Sequence, residues 1–185
     1  MSVTTVSSSM ITDATILNAD IGAAAAIATT KLGAGATVQV VNVTSSAYAS
    51  GTTVMPFDDT IPQKTEGDEY MTLAVTPTSA SNKLIIEIQT LLTTSATAVW
   101  LSGALFQDTT AGALALGVQS YQHRTVIGGG LSLRHFMTAG TTSATTFKFR
   151  AGSSGAATTG FNGQAGGRMF GGIAGSSITI TEIQV

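Results

Sequence analysis

The side chains with the most chemical potential in this sequence are few and scattered. Histidine occurs only as His123 and His135, each beside an arginine, Arg124 and Arg134. A Ser-His-Asp relay needs a serine presented on a tight turn, with a base and an orienting acid close by. No G-x-S-x-G is present, so both histidines are expected to sit satisfied in a sheet or at a subunit contact. Were His135 near a symmetry axis, its titration would make assembly sensitive to pH. Cysteine is absent, which removes disulfides, thiolate zinc sites and cysteine nucleophiles together.

Carboxylates cluster once, at Asp58, Asp59, Glu66, Asp68 and Glu69. Paired carboxylates can hydrolyse glycosides, and carboxylate-rich loops bind calcium through several oxygens. Adjacent aspartates project to opposite sides of an extended chain, however, and the D-x-D-x-D-G ladder is missing. The expectation is a solvated loop, with a structural calcium at Asp58, Asp59 and Asp68 as the alternative, no other cofactor, and no catalytic role.

Glycines gather at Gly128 to Gly130, at Gly152 and Gly155, and from Gly163 to Gly172. None completes a G-x-G-x-x-G or a G-x-x-x-x-G-K-[ST] pattern, so phosphate cradling is not indicated. The longest such stretch, Ala151 to Gly167, carries Phe161, Asn162 and Gln164. An aromatic ring beside amides suits the apolar face and hydroxyls of a sugar, which makes these three the candidates for receptor contact.

Composition narrows the class. Charged residues make up 10% of the chain, against roughly 25% in an average soluble protein. The net charge of −2 offers no footprint for a phosphate backbone, so nucleic acid is not an expected partner. No apolar run approaches the ~18 residues that a membrane helix needs, so no membrane insertion is expected. So little ionic surface points to repeated contact with identical subunits, because interface centres are depleted in charge. The opening MSVTTVSSSM has neither a basic nor an apolar leader region.

The elements that must position these residues are mostly β. From Val38 onward, short runs separated by Gly, Ser and Thr predict about nine strands: 38–44, 69–77, 83–92, 98–107, 114–124, 131–138, 145–150, 168–173 and 177–185. Met71, Leu73 and Val75 share one face, as do Leu84, Ile86 and Ile88. The run from Ala98 to Phe106 is apolar on both faces. Either it is a central core strand or a neighbouring subunit covers its second face, with Trp100 and Phe106, together with His135, as the candidate contacts. Near the C-terminus Glu182 falls on the apolar phase, and a bulge near Thr181 and Glu182 would repair the register.

Before these strands, Ile11, Ile16, Ile21, Ile27 and Leu32 follow neither a heptad seam nor a strand alternation. Asp20 is placed to cap a short alanine-rich helix over residues 22–30 that needs a partner surface. The segment ILNADIGAAAAIATTKL resembles the N-AD-I-x-A-x-AAI-A-x-x-KL segment of stalk and anchoring regions in tailed-bacteriophage fibre proteins. The stretch from VQVVNVTSSAYASG to ASNKLIIEI, with FQDTTAGALALG, RHFMTAGTTSATTFKFRAG and SSITITEI after it, is similar to a module of phage tail-fibre and other virion-appendage proteins.

The resemblance implies an all-β, homotrimeric appendage on the virion exterior, made in the host bacterial cytoplasm. Residues 1–36 would be an anchoring arm and short extended or helical stalk, with Ile11, Ile16, Ile21, Ile27 and Leu32 gripping other chains. Residues 37–185 would be a single antiparallel, jelly-roll-like β-sandwich head. Its expected partners are copies of itself, other virion proteins and a host surface glycan. A capsid decoration or cement protein is the runner-up, and a polysaccharide-degrading spike is a third reading.

Overall fold

Short runs that alternate apolar with polar side chains make strands with one face to bury, and antiparallel strands of this kind stack as two facing sheets. The computed structural model describes residues 32–119 and 127–185. The expected helix over 22–30 with its Asp20 cap, Ile11, Ile16, Ile21, Ile27, His123 and Arg124 lie outside the described residues. The strands are β1 (Thr37–Ser45), β2 (Ala49–Gly51), β3 (Asp68–Val75), β4 (Lys83–Thr94), β5 (Leu101–Gln107) and β6 (Ala115–Gln119). They continue with β7 (Ile127–Thr138), β8 (Thr145–Ser153), β9 (Thr159–Phe161), β10 (Gly163–Gln164), β11 (Gly167–Arg168) and β12 (Ser176–Ile183).

One sheet runs β1-β12-β4-β7, and the other runs β3-β8-β5-β6, with every pairing antiparallel. Short β9 lies in line with β12 along the same edge of β4, and β2 pairs with β9 beyond the end of β1. Numbering only the eight long strands in chain order, the sheets read 1-8-3-6 and 2-7-4-5. That is the double Greek key of a jelly roll. Between the sheets lie Leu84, Ile86 and Ile88 of β4, Ile178 and Ile180 of β12, and Leu131 and Leu133 of β7, facing Phe147 and Phe149 of β8, Met71 and Val75 of β3 and Leu105 of β5. An ideal Cβ on Gly103 would sit 2.5 Å from the Phe149 ring, so a glycine there lets the ring cross the strand.

Three expectations about strands need correction. Residues 168–173 are not a strand: β11 ends at Arg168 and Phe170–Gly172 form a 3-10 turn with positive φ at Phe170, Gly171 and Gly172. The second face of β5 is covered by this chain's own loop between β2 and β3, not by a neighbour. Met55 packs on Ala104 and Phe106 there. The loop is stitched down by Met55 N–H to Ser153 O (3.0 Å) and by Arg150 Nη2 to Gly67 O (2.6 Å). Phe106 is only 1% exposed and is therefore no subunit contact.

Glu182 keeps its inward phase, with no bulge in β12; the register shift lies in the partner strand, between Thr37 and Gln39 of β1. A buried carboxylate is costly unless its oxygens are bonded. Oε1 accepts from Thr78 N–H (2.9 Å), Thr78 Oγ1 (2.8 Å) and Asn82 Nδ2 (2.6 Å), while Oε2 accepts from Gln39 Nε2. Desolvation pushes its pKa up, but these donors from Gln39, Asn82 and Thr78 outweigh it and hold the carboxyl below its ordinary value of 4.5. The folded-state value is thus the lower one. Its stabilisation is complete above the unfolded-state pKa and is lost as the pH falls through the folded-state pKa. Glu182→Gln should cost about 1–3 kcal/mol in urea unfolding at neutral pH. The variant should also lose less stability than the parent on acidification from pH 5 to pH 3; parallel acid limbs would show that this carboxylate does not clamp the strand.

Candidate functional site

Opposite β4 the closing strand line is interrupted. Phe161 faces Leu92 and Ser177 faces Gln89, so residues 162–175 leave the line and return to it within a gap of two residues. Asn162 N–H donates to Leu91 O (3.0 Å), and Leu91 N–H donates to Ser176 Oγ (3.2 Å). The Asn162 side chain ties the two lips of the break together: Nδ2 donates to Ser45 O (2.7 Å) and Oδ1 accepts from Ser176 Oγ (2.6 Å). Its φ of 57° is one that asparagine tolerates better than most side chains. Asn162 is fully buried. Phe161 is buried as well and stacks on Tyr70 with ring centroids 5.0 Å apart. Burial, helped by nearby Asp68, pushes the Tyr70 pKa well above its ordinary 10.0, which keeps its hydroxyl protonated as a donor to Thr159 O. Phe161 and Asn162 therefore shape the loop from beneath and are not receptor contacts.

The excursion begins with the β10–β11 hairpin, which Thr93 Oγ1 fastens by donating to Gly163 O (2.7 Å). An ideal Cβ on Gly163 would meet the Tyr48 ring at 2.7 Å, so only glycine lets the hairpin lie this close. Between the hairpin and the end of β4 is a cleft of about 220 Å³ whose walls include Tyr48, Thr93, Ser95, Thr158, Gly160 and Gln164. The Thr93 hydroxyl is committed to Gly163, and Ser95 Oγ accepts from Thr158 N–H (2.8 Å). The Tyr48 hydroxyl, the Thr158 hydroxyl and the Gln164 amide make no hydrogen bond to any described residue. Gln164 is thus the one receptor candidate of the three that reaches a cavity. Tyr48 and Thr158 escaped notice because they come from distant stretches with no shared spacing.

The acidic cluster disperses into separate tasks. Asp58 closes a local turn on Thr60 N–H (2.9 Å), Asp68 accepts from Thr53 N–H (3.0 Å) and Thr53 Oγ1 (2.8 Å), and Glu66 accepts from Gln63 N–H (3.0 Å). Glu69 lies 3.6 Å from both Lys148 and Arg150. Among the described residues no three acidic or imidazole side chains converge as a metal would require, so the calcium alternative at Asp58, Asp59 and Asp68 finds no site.

His135 pairs with fully buried Ile86 and therefore lies on the inward phase of β7, half-buried, where desolvation lowers its pKa. That turns it away from any neighbour seated on the sheet's outer face. Trp100 is half-buried and stacks flat on exposed Phe57, with centroids 4.7 Å apart. Leu32 is half-buried at the start of the described chain.

Neither a protein-family model nor a curated protein sequence matches the chain. Among solved structures it is similar to an Eiger TNF from S. frugiperda, at 10% identity and a TM-score of 0.42, over 79% of this chain and 92% of that one. It is also similar to a chain of infectious bursal disease virus, Gx strain, at 9% identity and a TM-score of 0.35, over 80% of this chain and 42% of that one. The strand order given above establishes the fold without them.

Replacing Asn162 separates its two contributions. Asn162→Gly loses the side-chain bonds alone, whereas Asn162→Ala also places a Cβ at positive φ. The glycine variant should be destabilised by about 1–3 kcal/mol and the alanine variant by roughly 1 kcal/mol more. Chemical denaturation measures both, and an unchanged midpoint in either variant would remove the clamp.

Proposed function

We propose that this chain is a structural protein of a tailed-bacteriophage particle: a homotrimeric short fibre or spike, mounted through residues 1–36 and displaying the β-sandwich for adhesion to the host surface. The anchoring assignment rests on the resemblance of ILNADIGAAAAIATTKL to fibre stalk segments. Assembly rests on one observation, the distribution of exposed apolar side chains.

Across the outer face of the β1-β12-β4-β7 sheet, Val40, Thr181, Ile85 and Phe136 form a single cross-strand row, in which Val40 is 56% and Phe136 60% exposed. On the outer face of the other sheet, Leu116 and Val118 of β6 are exposed, as is Phe57 on Trp100. Two different apolar patches on opposite sheets suit a head-to-tail contact, in which each copy offers one patch to the next, and such contacts form a ring where the rotation between copies closes. A self-complementary dimer would need only one.

Light scattering of the full chain should give a single species of three times 18.7 kDa. Phe136→Asp and Val118→Asp should each yield folded monomer, since either one removes half of every contact. A monomeric parent, or a trimer that survives both substitutions, would overturn the assembly. Deleting residues 1–36 should leave the head folded while abolishing its incorporation into particles. A copy number in the hundreds per particle, with fragile shells when the protein is missing, would instead identify a cement protein.

A further inference from the structure

The cleft between the β10–β11 hairpin and the end of β4 has a chemistry that narrows its occupant. No charged side chain lies among its described lining residues. Phosphate, sulfate or carboxylate would enter it with no cation or helix N-terminus to meet the charge, and an ammonium group would find no carboxylate. The lining brings apolar surface from Tyr48 and Ala165 and polar groups from Tyr48, Thr158 and Gln164 that bond to no other described residue. An amide and two hydroxyls both donate and accept, which matches a ring of hydroxyl groups rather than a one-sided acceptor. Its volume of about 220 Å³ falls below the roughly 300–1,000 Å³ of sites for drug-sized ligands, so it has room for one ring and not for a chain.

The walls are also preorganised. The hairpin is held by Thr93 on Gly163, the far lip by Ser95 on Thr158, and the root of the loop by buried Asn162. Little ordering is left for a ligand to impose, which favours binding through few contacts.

From this geometry we infer that the cleft is a binding site for a single uncharged sugar ring, such as the terminal hexose of a neutral glycan, with the Tyr48 ring as the apolar wall and the Tyr48 hydroxyl, Gln164 and Thr158 as the hydrogen-bonding groups. This rests on the adhesion reading above and gives its ligand class. The affinity of one such cleft is weak, and trimerisation would raise it by avidity.

The test uses the full-length protein and saturation-transfer NMR with free glucose, galactose, mannose and N-acetylglucosamine, alongside inorganic phosphate and sialic acid. At least one neutral hexose should bind, and the two anions should not. Gln164→Ala and Tyr48→Phe should each weaken binding by about tenfold with melting temperature unchanged, as neither the Gln164 amide nor the Tyr48 hydroxyl bonds to another described residue. No transfer to any neutral sugar, or equal transfer in the variants, would overturn the assignment. Binding of labelled trimer to host cells separates the two readings. Cells bound equally by parent and by Gln164→Ala would keep adhesion and discard the cleft, while sugar binding without cell binding would keep the cleft and discard adhesion.

Discussion

Two buried polar clamps hold the closing strand of this jelly roll, and the rest of the molecule is arranged around that strand. It lies between β1 and β4, so it joins the first long strand to the third. At one end Glu182 collects donors from Thr78, Asn82 and Gln39, tying β12 to the turn between β3 and β4 and to β1. At the other end Asn162 spans the break between β9 and β12 and ties it to the segment joining β1 and β2. Apolar packing supplies most of the burial, but it is non-directional. Hydrogen-bonded groups that cannot be left unpaired are what specify where the strand must stop, open and resume.

That break has a structural consequence. A strand interrupted in mid-sheet would ordinarily expose unpaired backbone on its neighbour. Here Leu91 keeps both of its backbone bonds, one to Asn162 and one to Ser176 Oγ, so fourteen residues leave the sheet without cost to β4. The excursion can then carry a hairpin over the end of the sandwich and wall a cleft with it. The outer faces of both sheets stay free of this machinery and hold the exposed apolar rows instead.

Much of the architecture was legible in the alternation of Met71 to Val75, Leu84 to Ile88 and Phe147 to Phe149, because a half-buried strand has no other way to satisfy both faces. The apolar run of β5 correctly announced that both of its faces are covered. It did not say by what, since Met55 reaches it from a loop with no periodicity. Residues 168–173 misled in the opposite direction. Phe170 and Ile173 look like strand residues, yet they are 72% and 91% exposed on a turn that positive-φ glycines impose. Asn162 beside glycine carried a turn signal, but its neighbour Phe161 suggested a binding surface. Only the tertiary fold shows that both are buried. The off-phase Glu182 was visible as an anomaly, and its resolution lay in Thr78 and Asn82, a hundred residues earlier in the chain.

The most direct test of the clamped closing strand is amide hydrogen exchange of the full-length protein at neutral pH, followed residue by residue. The account predicts that the amides of Leu91, Asn162, Ile178 and Ile180 exchange only when the whole sandwich unfolds, with the same opening free energy as the centre of β4. Exchange of Asn162 and the β12 amides through a low-energy local opening, while β4 and β7 stay protected, would show that the strand is merely laid against the sheet and would contradict it.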